Sequence, residues 1–370
     1  MTAHPSFPTA DAGNFLHDVK REAAAYFAAH GASARGDARM VIKTMLMFTL
    51  VLLPYGLLLT TRLPGPVMVG LAIVIGFGLA GIGFAVAHDA LHGGYSTRPA
   101  VNRALGYSMD LIGASSYLWK ITHNIIHHTY TNIEGTDEDL AVSPLLRLSP
   151  HAEHRWYHRY QHLYALVLYA ATTLFWVFVK DYQQLLRRDL GPYVNRRHRA
   201  RDVLGMMTGK ALYYTWALVI PLALFPLPWW QVLLGFMIAH LTAGLTLGVV
   251  FQLAHVVEKT AHPEPTADGA MTLSWAAHEM HTTANFAPGN RLLGWYVGGL
   301  NYQVEHHLFP RVCSIHYPAL SRIVQEVAVR HGLPYHSYPT FRSALASHLR
   351  TLRQFGSAPH VPGWSLPAAT

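Results

Sequence analysis

The sequence predicts an all-α integral membrane protein: four transmembrane helices in two hairpins, with the rest of the chain forming a helical cap on the cytoplasmic side. Three observations predict it. Only 13% of the 370 residues are charged and 51% are hydrophobic, where an average soluble domain carries roughly 25% charged residues. Four runs, at 41–61, 66–87, 204–225 and 229–254, approach the ~20 apolar residues that a helix needs to cross the hydrocarbon. Positive charge also falls on one side of those runs.

The elements follow in chain order. Residues 1–40 form a cytoplasmic segment. Within it, 14–30 reads as an amphipathic surface helix with Phe15, Val19, Tyr26 and Phe27 broadly on one face. No basic stretch followed by an apolar core opens the chain, so no cleaved signal peptide is expected. Lys20, Arg21, Arg35, Arg39 and Lys43 precede or open the first span. Arg62 alone lies between the first and second, and 226–228, between the third and fourth, has no basic residue. The 88–203 region and the chain after His255 are rich in Arg and Lys. Both termini and the long middle region are therefore expected in the cytoplasm, in a bacterial inner membrane. A fifth apolar run, 163–179, is shorter. If it crossed, the middle and C-terminal regions would lie on opposite faces. It is expected to lie in the interface or dip part-way, with Trp176 and Tyr182 near the headgroups. The membrane domain spans 41–335. The remainder, 336–370, is expected as a cytoplasmic tail ending in a disordered Pro-, Gly- and Ala-rich stretch at 359–370.

Composition excludes several function classes. Cys313 is the only cysteine, so there is no intrachain disulfide and no cysteine-built zinc or iron–sulfur site. The formal charge of +8 sits beside apolar spans, which points to anionic lipid headgroups and not to nucleic acid.

Histidine is the other anomaly: there are 25, against 28 Lys plus Arg. The second span ends in His88-Asp-Ala-Leu-His92, and His123-Asn-Ile-Ile-His127-His128 follows. Residues i and i+4 share a helix face, so each such pair reaches one metal. His128 is turned about 100° from His127, so the adjacent pair suits two neighbouring metals. Gln303-Val-Glu-His306-His307 repeats the adjacent pair, and His255 sits where the fourth span ends. All eight histidines fall at cytoplasmic span ends or in cytoplasmic segments, a placement obtained without using histidine. Eight imidazoles suit two metals, and imidazole takes Zn, Cu, Fe or Ni. The cytoplasmic cap is thus expected to hold a di-metal site.

HDALH, HNIIHH and QVEHHLFP, in this order with spans between them, resemble the three histidine boxes of membrane fatty acyl desaturases. The glutamine opening the third box resembles the front-end branch, which includes linoleoyl-CoA desaturases. The likeness runs from about 38 to 335 and takes in WKITHNIIHHTYTN, FQLAHVVE and NYQVEHHLFPRVCSIHYP. The resemblance implies two iron ions in a non-haem centre. His88, His92, His123, His127, His128, His306 and His307 match box positions, and His255 matches the extra ligand after the last span. Gln303 stands where related desaturases have histidine, and its amide binds directly, through water, or from behind the ligands.

Front-end desaturases often carry a fused cytochrome b5-type domain with an HPGG motif. This chain has no HPGG, and 1–40 is too short for such a domain. Electrons are therefore expected from a separate ferredoxin or cytochrome b5-type carrier. Dioxygen is the co-substrate, and the other partner is a fatty acyl-CoA, acyl-lipid or acyl-carrier substrate. An unactivated methylene has no acidic proton, so breaking its C–H bond is cofactor chemistry, with the protein supplying orientation and a dry site. The outcome is a new double bond. The alternative on the same scaffold is hydroxylation or acetylene formation. A haem carrier or a metal transporter would want its ligands within the spans, where only His240 lies.

Ligand rings are usually oriented through their second nitrogen by carboxylates. Asp89, Glu305, the run Gly135-Thr-Asp137-Glu-Asp139 and His278 are the candidates. The stripe His151, His154, His158, His162 reads as an interfacial helix face rather than another metal site. His278-Glu-Met-His281 lacks the histidine at 282 that a zinc-protease motif needs, since Thr282 stands there.

Overall fold

The computed structural model describes residues 5–8, 14–140, 143–194 and 197–357. The expected disordered stretch at 359–370 lies outside the described residues, as do the first four residues of the chain.

The four long apolar helices are present. After α1 (Phe15–Ala29) come α2 (Ala38–Thr60) and α3 (Gly65–Leu91). Each starts where local chemistry allows. The Asp37 carboxylate caps α2 by accepting the Arg39 N–H at 2.9 Å, and Pro66 fills the first turn of α3, where a missing N–H costs nothing. Next, α4 continues Ser116–Trp119 into Lys120–His127. The 163–179 run is not one straight helix: α5 (Trp156–Ala170) and α6 (Thr172–Leu186) meet at 60°, the geometry of a broken span or a re-entrant turn. The remaining two apolar helices are α7 (Ala200–Leu224) and α8 (Trp229–His255). The helices that follow the spans include α9 (Trp275–Thr282), α10 (Gln303–Leu308) and α11 (Tyr317–Arg330). The last is α12 (Phe341–Ser357).

Among these, α2 packs on α3, α3 on α8, and α8 on both arms of the α5–α6 bend. Small residues make the close approaches possible. A Cβ at Gly76 of α3 would lie 2.5 Å from the Ala239 carbonyl of α8, and one at Gly244 of α8 would overlap the Ala170 carbonyl at the bend itself. The core between them holds Leu79, Ile82, Phe84, Leu247, Val250 and Leu253.

Two expectations need revision. The apolar face of α1 does not face a bilayer. Phe15, Val19 and Ala23 are buried against Met280, Leu320, Val324 and Val327, so protein packing accounts for the amphipathic pattern. The segment expected as a tail is also no separate piece. Tyr338, Ala344, Leu352 and Phe355 join the main core, and Ser337–Tyr338 pairs in parallel with Asn285–Phe286.

Candidate metal centre

The histidines that sequence spacing singled out converge. His88 ends a five-residue π-helical segment, Gly83–Ala87, within α3. His123 and His127 lie on the π-helical half of α4, where the His128 N–H donates to the His123 carbonyl five residues back at 3.2 Å. The local helix is therefore wider than the α-turn assumed from sequence, and such segments recur at functional sites. His123 and His127 still share a face, their rings stacked with centroids 5.0 Å apart and an interplanar angle of 19°.

The nitrogens form two groups with a bridge. In one, ligand atoms of His88, His92, His123 and His306 lie within 4.8 Å of one another; His127, His255 and His307 form the other. His128 gathers with His306 and His307 between them. The adjacent pairs 127–128 and 306–307 thus each serve both groups, as two neighbouring metals require. Gln303 is buried at the start of α10, one turn before His306 and His307.

The donor chemistry fits metal ions. All eight rings are buried, and Nε2 of every one has no hydrogen-bond partner. An unpaired buried polar atom costs about 1–3 kcal/mol, so eight converging ones are stable only if something else takes their lone pairs. Burial, reinforced by neighbouring rings, holds His92, His123, His128, His306 and His307 well below the usual histidine range. They are neutral, as ligands must be.

The opposite ring nitrogens are held from behind. His123 Nδ1 donates to Asp139 at 3.1 Å and His127 Nδ1 to Asp137 at 3.0 Å. Asp137 is fixed in turn by the N–H groups of Asn132 and Asp139. Burial opposes protonation of His127, but the Asp137 carboxylate outweighs it and lifts the ring to about 9. His307 Nδ1 meets Glu279 at 2.7 Å, His306 Nδ1 meets the Tyr317 hydroxyl at 3.2 Å, and His255 Nδ1 reaches the Thr282 carbonyl at 3.4 Å.

Not every candidate orienting residue is placed against a ring. Asp137 and Asp139 are. Asp89 instead accepts from the Ser314 hydroxyl at 2.8 Å and the Cys313 thiol at 3.3 Å, with His88 Nδ1 3.9 Å away. It ties α3 to the segment after the third box. Glu305 accepts from Asn285 at 2.8 Å and Tyr335 at 2.9 Å, and burial raises its carboxyl to about 7. His278 donates to the Thr131 carbonyl at 2.8 Å, one step from the centre, since the Thr131 hydroxyl bonds Glu279. Glu279 and Tyr317 were missed from sequence. Glu279 had one signal, a carboxylate between two histidines that fit no zinc motif; Tyr317 had none. The stripe at 151–162 is dispersed: His151, His154 and His158 each bond a different backbone carbonyl. His240 bonds Thr173 and Tyr213 within the spans.

The chain is similar to known proteins over most of its length. The family model described as fatty acid desaturase matches residues 64–339. An sn-1 linoleoyl-lipid 6-desaturase of Synechocystis sp. is 37% identical over 93% of this chain and 96% of its own length. The enzyme of that name from Arthrospira platensis is also 37% identical, over 94% of each chain. An acyl-lipid (8-3)-desaturase of Physcomitrium patens is 33% identical over 94% of this chain and 73% of its own. The converging histidines, the four apolar helices and these matches lead to one conclusion: the chain belongs to the fatty acid desaturase family and is an oxidoreductase of fatty acyl chains.

Proposed function

We propose that this enzyme inserts a double bond near the carboxyl end of a membrane acyl-lipid. His88, His92, His123, His127, His128, His255, His306 and His307 hold two irons, and Gln303 lies buried one helical turn before His306 and His307. The observation that carries the reading is the set of eight buried, partnerless Nε2 atoms in two groups. The metal pair, when bound, supplies the dioxygen chemistry that removes two hydrogens from neighbouring carbons. Electrons come from a separate ferredoxin or cytochrome b5-type protein. Asp137, Asp139, Glu279 and Tyr317 occupy the Nδ1 side of the rings, which leaves Nε2 facing the metals, and fix their directions.

Cavities beside the centre support the position of the bond. A narrow apolar space of about 20 Å³ touches His88 and is walled by Phe84, Trp119, Phe251 and Leu300. It shares Trp119, Trp176 and Phe251 with a second space of about 60 Å³ that carries the polar groups Ser115, Asp139, Lys180 and Gln184. An ester lodged there puts the carbons next to it beside His88. Two relatives named as 6-desaturases fit such a short distance. Both termini and the histidine cap lie in the cytoplasm, with two helical hairpins spanning a bacterial inner membrane. The positive charge before α2, along 88–203 and after α8 supports that orientation.

Expression in a host that lacks this activity, with lipid profiling, tests the reading. The wild-type chain should give a new double bond near the carboxyl end, and His127→Ala should abolish it. A hydroxylated product, or no new product from folded, iron-loaded protein, overturns it.

A further inference from the structure

The row of cavities does not end at the histidine centre. The narrow space beside His88 shares Ile112, Trp176 and Leu247 with a constriction of only about 10 Å³. That constriction shares Leu79 and His240 with a third space, a chamber of about 280 Å³. Tyr55, Met68, Trp216, Phe225 and Trp230 are among its walls, at the end of the bundle away from the histidine boxes. His240 therefore stands at the doorway. It lies fifteen residues before His255 on α8, about 22 Å along the axis at ~1.5 Å per residue.

His240 is buried mid-span, with both ring nitrogens occupied. Nε2 pairs with the Tyr213 hydroxyl, and Nδ1 donates to Thr173 Oγ1 at 3.0 Å. Thr173 in turn donates to the His240 carbonyl at 2.8 Å. A polar residue at this depth is costly to keep, and an aliphatic residue would pack the position without it. The cluster joins three elements, α6, α7 and α8, around the narrowest point. Because its hydrogen bonds close on themselves, a hydrocarbon chain slides past without leaving a polar atom unpaired.

Resting on the function proposed above, we propose that Tyr213, His240 and Thr173 form a specificity-determining neck, with the methyl end of the acyl chain lying beyond it in the chamber. The enzyme then reads its substrate from both ends. The polar pocket fixes the ester, and the neck and chamber set which chain lengths are held in register.

Gly235 makes the test clean. It lines the chamber, and a Cβ there meets nothing within 4 Å, so Gly235→Leu takes up chamber space without a clash. Gly70 on α3 is equally open but is not among the chamber walls, and Gly70→Leu serves as the control. Host lipids carrying fourteen- and eighteen-carbon chains are profiled together for each variant, and protein abundance is measured. Gly235→Leu should lower the eighteen-to-fourteen conversion ratio roughly tenfold, the discrimination of one or two methylenes in an apolar pocket. Gly70→Leu should leave the ratio alone. Tyr213→Phe, which keeps the ring but releases His240, should shift the ratio at unchanged abundance. Equal losses at both lengths, or an unchanged ratio in both Gly235→Leu and Tyr213→Phe, overturn the neck. Wild-type protein giving no double bond at either length overturns the function reading, and the neck with it.

Discussion

At the scale of single residues, the candidate centre depends on groups one step behind its histidines. Glu279 is wholly buried and touches both His307 and Thr131. Replacing it with Gln keeps the shape but replaces the carboxyl that meets His307 Nδ1 with an amide. Glu279→Gln and Asp137→Asn should each lower metal affinity about 10–100-fold, as read by metal titration of the purified apoprotein, while helix content stays constant. His348 gives a pH prediction away from the metals. It is fully buried in α12, bonded to the Val256 carbonyl and the Tyr169 hydroxyl, and burial depresses its ring to about 4. The unfolded chain takes up that proton near 6.5. Stability from this group is therefore complete above about 6.5 and is lost as pH falls toward 4, by about 3 kcal/mol in all. His348→Gln should flatten the fall in Tm between pH 7 and pH 5. The seven box histidines and His255 were legible because residue spacing is a local property of the chain. Glu279, Tyr317 and the true partners of Asp89 were not, because they meet only through the fold.

Among elements, the bend between α5 and α6 is the least regular and the most consequential. Its position is set by a buried ion pair. Lys210 of α7 meets Asp181 of α6 at 2.7 Å and donates to the Gly113 carbonyl at 2.8 Å, while Asp181 accepts the Ser115 N–H at 2.8 Å. The pair therefore holds Trp176 and Lys180 against the second space beside the histidine centre. Removing one partner leaves a buried charge alone, at a cost of about 3–5 kcal/mol. Lys210→Met should lower Tm sharply, and adding Asp181→Leu should restore much of the loss; a double-mutant cycle measures the coupling. The apolar helices were legible within a few residues at each end because hydropathy over twenty residues is a strong signal. The π-helical segments at 83–87 and 120–127 were not, since an i to i+5 hydrogen bond leaves no mark on apolar spacing. Nor was the 60° bend, because the 163–179 run is apolar straight through it.

At the scale of the whole molecule, orientation in the bilayer is the main prediction. Cys313 is buried and is the only cysteine, so a Cys313→Ser background allows single-cysteine mapping. Cysteines placed at Arg62 and Leu227 should react with an impermeant reagent from the periplasmic side, and one at Arg188 only after lysis. Labelling of Arg188 from outside would reverse the topology. Charge bias made that prediction available from sequence. The packing of 337–357 into the main core was not available, because the anchors for Phe355 and Tyr338 lie far back in the chain.

The eight gathered histidines come from four separate stretches, beginning at His88 and ending at His307. During synthesis the first two boxes and His255 are made well before the last pair exists. Until α10 emerges, each half of the centre lacks the histidine that it takes from that helix. A chain interrupted after α8 has all four membrane helices but only an incomplete ligand set. On the function proposed above, iron loading is then a final inspection of the chain. It reports that the membrane part, the connecting segments and the last box have all arrived and docked.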